Sequence, residues 1–325
     1  MGNPIVAVSD VVFPDLEPTK KALAKVEAAL EIAEEPTPEA ILKVARPADG
    51  MLVTYAKITA DIIGELQNCR VIGRFGIGFD NIDIAAATQA GIVVTYVPDY
   101  CFDEVSDHAM AMLLTLARKT AFSNQLVQSG RWEMPAVVPL NRLRGRTLGL
   151  VGFGNIPQLL APKGQAFGMK VVAYDPYVDA DKAKALDVEL MGLEELLGVA
   201  DYVSLHAPLT DETNNLLDAG AFKRMKPTAL LINTARGPLV DVDALAAALD
   251  AGELGGAALD VMPTEPPPAD CPVLGRDNVI LSPHTGFYSL EALLELQTKC
   301  AEDVARVLGG EAPLYPVNPE ALKAR

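Results

Sequence analysis

The chain has 325 residues, half of them hydrophobic and 22% charged, which is ample for two domains with buried cores. Its net charge of −16 argues against a nucleic acid or an anionic membrane as partner, because such binding depends on clustered Lys and Arg. The opening MGNPIVAVSD lacks a basic region followed by an apolar core, and no apolar run approaches the ~18 residues that span a bilayer. The four cysteines, Cys69, Cys101, Cys271 and Cys300, lie far apart without metal-ligand spacing, which fits thiols in a reducing cytoplasm and no metal site.

Taken in order, Ile5 to Val12 alternates and branches like a strand, and Pro18 to Ala33 carries apolar residues at helical spacing. The short run Ile41 to Val44 and then Gly50 to Thr54 continue the alternation of helix and strand. Ile58 to Leu66 reads as helix, Arg70 to Arg74 as strand, Ile82 to Ala90 as helix and Ile92 to Val94 as strand. Strands separated by helices imply a parallel sheet, so the first ~100 residues form one small α/β domain. Phe75-Gly76-Ile77-Gly78 follows its strand directly, where glycines free the backbone to hold an anion with amide donors; a plain turn is the other reading.

After Pro98 a long amphipathic helix is expected over Asp103 to Lys119, a candidate for the crossing between domains. Arg131 to Leu140 holds the only Trp and two prolines, has neither period, and is a candidate for packing on a subunit partner. Further strands are expected at Tyr202 to Leu205, Leu230 to Asn233, Gly256 to Leu259 and Val279 to Leu281, with a helix at Val242 to Asp250. These make a second doubly wound domain ending near Gly286, followed by a helix over Ser289 to Leu308 and an extended tail from Leu314 to Asn318.

The stretch Thr147 to Asp175 reads strand, turn, helix, strand, acid. Leu148 to Val151 enters Gly152-Phe153-Gly154, and a second apolar run ends on Asp175. In a dinucleotide-binding unit the first glycine makes the turn, the second lets backbone N–H groups approach a pyrophosphate, and the helix N-terminus adds partial positive charge. Asp175 lies 21 residues after Gly154, close to the ~20 expected of a carboxylate that accepts from a ribose diol. A carboxylate there repels a 2′-phosphate, so NAD is favoured over NADP. The third glycine of the fingerprint is replaced by Pro157, which is tolerated in a first helical turn and leaves the amides of Asn155 and Ile156 as donors. Pro162 falls in the helix interior, where it removes a bond to the carbonyl of Gln158 at a cost of ~3 kcal/mol, so a kink or break is expected there.

Polar residues follow the strands of this domain: His206 after YVSL, Arg236 after LLINTA, Asp260 after GAAL and His284 after VILSP, with Glu265 in MPTEPPP. Ligands of open α/β sheets bind outside the carboxyl ends of strands, so these side chains should face one crevice. Of the three histidines, His108 reads as a surface or core residue of its helix and His206 as a loop residue on the adenine side. His284 is the better acid-base candidate.

The segments GRFGIGFDNID, VPDYCFDEVSDHAMAMLLTLAR, LGLVGFGNI, AFGMKVVAYDPY, LHAPLTDET, LINTARGPLVD, GAALDVMPTEP and SPHTG run in order from about residue 70 to 288. The set resembles the D-specific 2-hydroxyacid dehydrogenases, which include phosphoglycerate dehydrogenase. VVFPDL, Tyr55 before Ile58-Thr59, and PHTGFYS lean toward the branch of C-terminal binding proteins. The resemblance implies an α/β protein of two doubly wound parallel-sheet domains that close on a substrate. One is a Rossmann NAD-binding domain over 99–287; the other is a flavodoxin-like substrate domain made of 1–98 with 288–325. With the unpatterned Arg131 to Leu140 segment, it further implies a homodimer. His284 matches the general acid-base, Glu265 its partner and Arg236 the cation for the substrate carboxylate and carbonyl. Those residue types suit the roles, since imidazole titrates near neutrality and arginine presents a planar fork to a carboxylate. Ile77 and Gly78 would supply substrate-binding amides, beside Tyr55 and Phe287, the latter standing where the similar branch has Trp. Gly152, Gly154, Asn155, Ile156 and Asp175 would hold NAD, with His206, Pro208, Thr213, Thr234, Ala235 and Gly286 lining it and Asp260 on the nicotinamide carboxamide side. The implied activity is NAD-dependent interconversion of a 2-keto acid and a D-2-hydroxy acid; the alternative is an NAD-gated interaction protein, like the corepressors of the similar branch.

Overall fold

The computed structural model describes residues 2–323. The chain divides into two units, Met1–Tyr100 with Ser289–Arg325, and Cys101–Tyr288. In the first unit, strands β1 (Ile5–Val8), β2 (Ala29–Ile32), β3 (Gly50–Val53), β4 (Val71–Arg74) and β5 (Val93–Thr95) form a sheet in the order β2-β1-β3-β4-β5. Every pairing is parallel, and the order is that of a flavodoxin-like sheet. β3, β4 and β5 are buried along their whole length, as expected of parallel strands covered on both faces.

One expectation fails at the edge of this sheet. The helix expected over Pro18 to Ala33 ends at Leu23, a 3-10 turn follows over Ala24–Val26, and Glu27 takes a left-handed φ of 54° before β2 begins. β2 is an edge strand with mostly exposed side chains, so its few apolar residues fit either period. Ile41 to Val44 lies inside the helix Pro38–Ala45, whose N-cap Thr37 accepts from the Ala40 N–H and whose Ile41 and Ala45 are buried.

The helix Leu290–Leu308 belongs to this first unit. It packs so closely on β4 that a Cβ at Gly73 would lie 2.7 Å from Val304 and 3.1 Å from Cys300. The tail then lies along β5. The Val317 N–H donates to the Val94 carbonyl at 2.8 Å, the Asp303 carboxylate accepts from Leu314 and Tyr315, and Asn318 bonds to Val94, Ile92 and Thr88.

The second unit carries β6 (Thr147–Val151), β7 (Lys170–Tyr174), β8 (Glu189–Leu190), β9 (Tyr202–Leu205), β10 (Leu230–Asn233), β11 (Gly256–Leu259) and β12 (Val279–Leu281). They run parallel in the order β12-β11-β10-β9-β6-β7-β8, a Rossmann sheet with one strand added beyond β11. One face is covered by a cluster that includes Leu196, Phe222 and Leu245, the other by one that includes Leu113, Leu116 and Leu160. The long helix spans Phe102–Ala117 and buries Val105, Ala109, Met112, Leu113 and Leu116.

The helix after the glycine turn runs as one element from Asn155 to Ala166 with Pro162 inside it, so of the kink or break expected there the break is absent. Packing holds it: Leu160 and Ala161 are fully buried, and a Cβ at Gly164 would lie 2.8 Å from Leu148 Cδ2. The close helix-strand approach that a third fingerprint glycine normally permits is made here by Gly164. No helix of the described residues is long and apolar enough to cross a membrane.

Candidate active site

The order of the second sheet reverses between β6 and β9, and the glycine turn sits at that point. Gly152 has φ 90°, and a Cβ there would lie 2.8 Å from Ala207 N and His206 C, so the turn needs glycine on both counts. Gly154 is the N-cap of Asn155–Ala166, with open space where a Cβ would be and no side chain capping the helix. The first-turn amides of Asn155 and Ile156 have no intrahelical acceptor, and Pro157 is buried in that same turn. Asp175 closes β7 and is tied down by backbone donors. Its Oδ2 accepts from Phe153 at 2.8 Å and its Oδ1 from Tyr177 and Val178 at 2.8 and 3.1 Å. Thr234 Oγ1 is buried with no protein partner. An open amide cradle, an anchored acid beside it and a buried hydroxyl in need of a partner fit a dinucleotide. Thr213 donates to the Pro208 carbonyl at 2.7 Å, which braces the loop after His206.

His206 bonds through Nε2 to Ser204 Oγ at 2.8 Å. It keeps some exposed area, yet the protein packed around the ring costs the charged form its solvation and pushes the imidazole down to about 3. It is neutral near pH 7, which suits a lining residue and not a proton donor.

The loops after β10, β11 and β12 carry the other candidates, and because those strands are parallel neighbours the loops share one edge of the sheet. Asn233, itself buried, donates to the Arg236 carbonyl at 2.8 Å and accepts from Ala235 N–H at 3.0 Å, so it frames the turn that presents Arg236. Gly237 lies against the backbone of Met262 and Pro263, which brings the Arg236 loop onto the Glu265 loop. Glu265 accepts from the Met262 N–H through Oε1 and bonds His284 Nδ1 through Oε2 at 2.7 Å. Phe287 meets the His284 ring edge-on, with centroids 6.1 Å apart. Asp260 is buried, and its carboxylate accepts from Thr285 and Gly286.

His108, on the helix Phe102–Ala117, is half-buried and reaches the loop after β12. Its Nε2 lies 3.0 Å from Ser282 Oγ and 3.3 Å from Asp260 Oδ1. Neither His108 nor Ser282 was legible as a site residue. The available signal was a polar side chain next to the apolar stripe Val105, Ala109 and Met112, and a serine directly after β12.

In the first unit, Tyr55, Ile77 and Gly78 follow β3 and β4 at the carboxyl edge of that sheet. Asp10, after β1, accepts from the Thr54 and Tyr55 amides at 3.0 and 2.6 Å and so fixes the start of the Tyr55 loop. Gly76 has φ 147° with the Arg74 guanidinium packed across it, and Arg74 donates to the Phe75 carbonyl at 2.8 Å. That wedge turns the chain sharply just ahead of Ile77 and Gly78. Phe79 and Tyr96 stack edge-to-face beside them at 5.6 Å.

Residues 110–286 match the family described as D-isomer specific 2-hydroxyacid dehydrogenase, NAD binding domain. The chain is 35% identical over 323 residues to a glyoxylate reductase of Korarchaeum cryptofilum, with 97% of each chain covered. It is 38% identical over 291 residues to a D-3-phosphoglycerate dehydrogenase of Methanocaldococcus jannaschii, covering 89% of this chain and 55% of that longer one. Among solved structures, a D-lactate dehydrogenase from Aquifex aeolicus complexed with NAD and lactic acid is similar with a TM-score of 0.86 and 29% identity, over 99% of this chain and 98% of that one. The chain therefore belongs to the D-isomer specific 2-hydroxyacid dehydrogenase family, as an NAD-dependent oxidoreductase of two parallel-sheet α/β domains.

Proposed function

We propose that this chain reduces a small 2-keto acid to its D-2-hydroxy acid, and catalyses the reverse, with His284 as acid-base, Glu265 as its partner and Arg236 as the substrate-binding cation. The observation that carries the assignment is the 2.7 Å bond between His284 Nδ1 and Glu265 Oε2. An ionised carboxylate only accepts, so Nδ1 holds its hydrogen and Nε2 is the nitrogen that exchanges a proton with the substrate oxygen. Arg236 offers its planar fork to the substrate carboxylate and carbonyl. Ile77 and Gly78 add amide donors, and Tyr55 and Phe287 border the substituent.

Gly152 and Gly154 shape the turn, Asn155 and Ile156 donate to the pyrophosphate of NAD, and Asp175 accepts from the ribose. His206, Pro208, Thr213, Thr234, Ala235, Asp260 and Gly286 line the remainder. The nicotinamide, when bound, supplies or takes up the hydride. The Phe79 and Tyr96 rings beside Ile77 and Gly78 favour a substituent without charge, so glyoxylate, pyruvate and hydroxypyruvate are preferred to a phosphorylated acid. Exposed Trp132 (87%) and Met134 (70%) support a homodimer formed through residues 131–140, and the cysteine spacing supports a cytoplasmic setting.

The test is oxidation of NADH with a panel of these acids and 3-phosphohydroxypyruvate. Turnover of the small acids supports the reading, and a preference for the phosphorylated one removes the substrate class. Binding of NADH without turnover of any acid favours an NAD-gated interaction protein.

A further inference from the structure

We propose that His108 is a positioning residue for the acid-base centre, acting through Ser282 and Asp260 on the loop 284–286 that carries His284. The inference rests on His284 being the acid-base. Ser282 has one hydroxyl proton, and its Oγ lies against both Asp260 Oδ1 and His108 Nε2. A carboxylate only accepts, so the serine proton goes to Asp260, and the serine oxygen is left to accept from His108. The hydrogen of the His108 ring therefore sits on Nε2, facing Ser282 at 3.0 Å and Asp260 at 3.3 Å.

Asp260 gathers three successive N–H groups of the loop. Its carbonyl accepts from His284 at 2.8 Å, its Oδ1 from Thr285 at 3.0 Å and its Oδ2 from Gly286 at 2.8 Å. Those bonds hold His284 at φ 54°, a left-handed conformation that a residue with a side chain rarely adopts. The loop also closes tightly, since a Cβ at Gly286 would lie 2.8 Å from Asp260 Oδ2 and 3.3 Å from His108 Cδ2. If the Asp260 carboxylate turned, the Thr285 and Gly286 bonds would be lost together and the His284 imidazole would leave Glu265. His108 and Ser282 oppose that turn by holding Oδ1, the oxygen that also accepts from Thr285, on a side chain that is 2% exposed.

The chain has only three histidines, so imidazole signals of the cofactor-free, 15N-labelled full-length protein can be assigned one by one. The expected result is that His108→Ala removes the downfield Nδ1–H signal of His284 bonded to Glu265. It should also lower kcat on a small 2-keto acid by about 10- to 100-fold, because misplacing a reacting group mainly affects rate. His108→Gln, whose amide can replace the Nε2–H donor, should restore both. Ser282→Ala breaks the same relay at its next member and should reproduce the loss, which decides the matter if His108→Ala does not fold. Retention of the Nδ1–H signal and of kcat in the alanine variants would overturn the proposal, as would a loss that His108→Gln does not repair. If instead His284→Ala kept normal turnover, the acid-base assignment would fall, while the Nδ1–H signal would still report whether His108 sets the loop.

Discussion

The backbone N–H of Phe153 donates to Oδ2 of Asp175 at 2.8 Å, so the residue between the two turn glycines and the acid that closes β7 hold each other in place. A carboxylate fixed beside that turn would accept from ribose hydroxyls and repel a 2′-phosphate. NADH should therefore exceed NADPH in kcat/KM by at least about tenfold, the factor that 1.4 kcal/mol gives. Asp175→Asn, which keeps an acceptor for the backbone, should narrow the ratio. Equal efficiency with both cofactors in the parent enzyme would refute the argument.

The pair His284 and Glu265 predicts opposite pH preferences for the two directions, since reduction needs the proton on the imidazole and oxidation needs it absent. Burial works to raise the Glu265 carboxyl, but the bond and charge of His284 and the Met262 N–H outweigh it and hold the group below its usual value. The carboxylate thus stays ionised beside the imidazole. In Glu265→Gln the pH limb of reduction should move to lower pH, and His284→Ala should cost roughly 10²–10⁴ in kcat. A limb that stays put would show that the carboxylate has no part in the proton transfer.

Acid should destabilise the second unit through His206. Its imidazole accepts a proton at about 6.5 when unfolded but only at about 3 when folded. Between those values the unfolded chain holds the extra proton, so the contribution to stability is complete above about pH 6.5 and declines as the pH falls toward 3. Urea midpoints measured across this window should fall less steeply in His206→Asn than in the parent.

Asn318 is buried and serves β5 with both ends of its amide, accepting from Val94 N–H at 2.7 Å and donating to Ile92 O at 3.0 Å. Asn318→Ala leaves a buried donor and a buried acceptor unpaired, for a loss of about 2–4 kcal/mol in the first unit. Chemical denaturation with a probe in that unit would check this. A change within experimental error would mean that water replaces the amide.

At Gly237 a Cβ would overlap the backbone of Met262 and Pro263, which has no flexible end to yield. Gly237→Ala should push apart the loops of Arg236 and Glu265, lowering the thermal midpoint as expected of ~1–3 kcal/mol of overpacking and lowering kcat with it. Normal kinetics in this variant would show that the spacing of the two loops is not critical.

The parallel sheets were legible because buried strands such as Leu230–Asn233 and Val71–Arg74 are short apolar runs set between helices. Two of the edge strands were not, although Val93–Thr95 and Val279–Leu281, at the other edges, were. Ala29–Ile32 is mostly exposed and Glu189–Leu190 is two residues long, so neither leaves a period to read. That the helix continues through Pro162 was hidden for a related reason, since the proline's local cost was visible and the packing of Leu160, Ala161 and Gly164 was not. In the candidate site, residues placed directly after strands could be found by position. His108 could not, because its partners Ser282 and Asp260 lie more than 150 residues away along the chain.

The first unit is built from both ends of the chain, with β4 covered by the helix Leu290–Leu308 and β5 edged by the tail. During synthesis its five strands leave the ribosome well before the segments that complete it, while residues 101–288 are still being made. At ~5–20 residues per second that interval is roughly 10–40 s, in which the apolar face around Gly73 is uncovered and the β5 edge is unpaired. The second unit, continuous in sequence, can fold as soon as residue 288 has emerged, before the segment that completes the first unit is available. A nascent chain halted with residue 288 just outside the ribosome should accordingly hold a finished second unit and an unfinished first one, a state that protease sensitivity of stalled ribosome complexes would reveal.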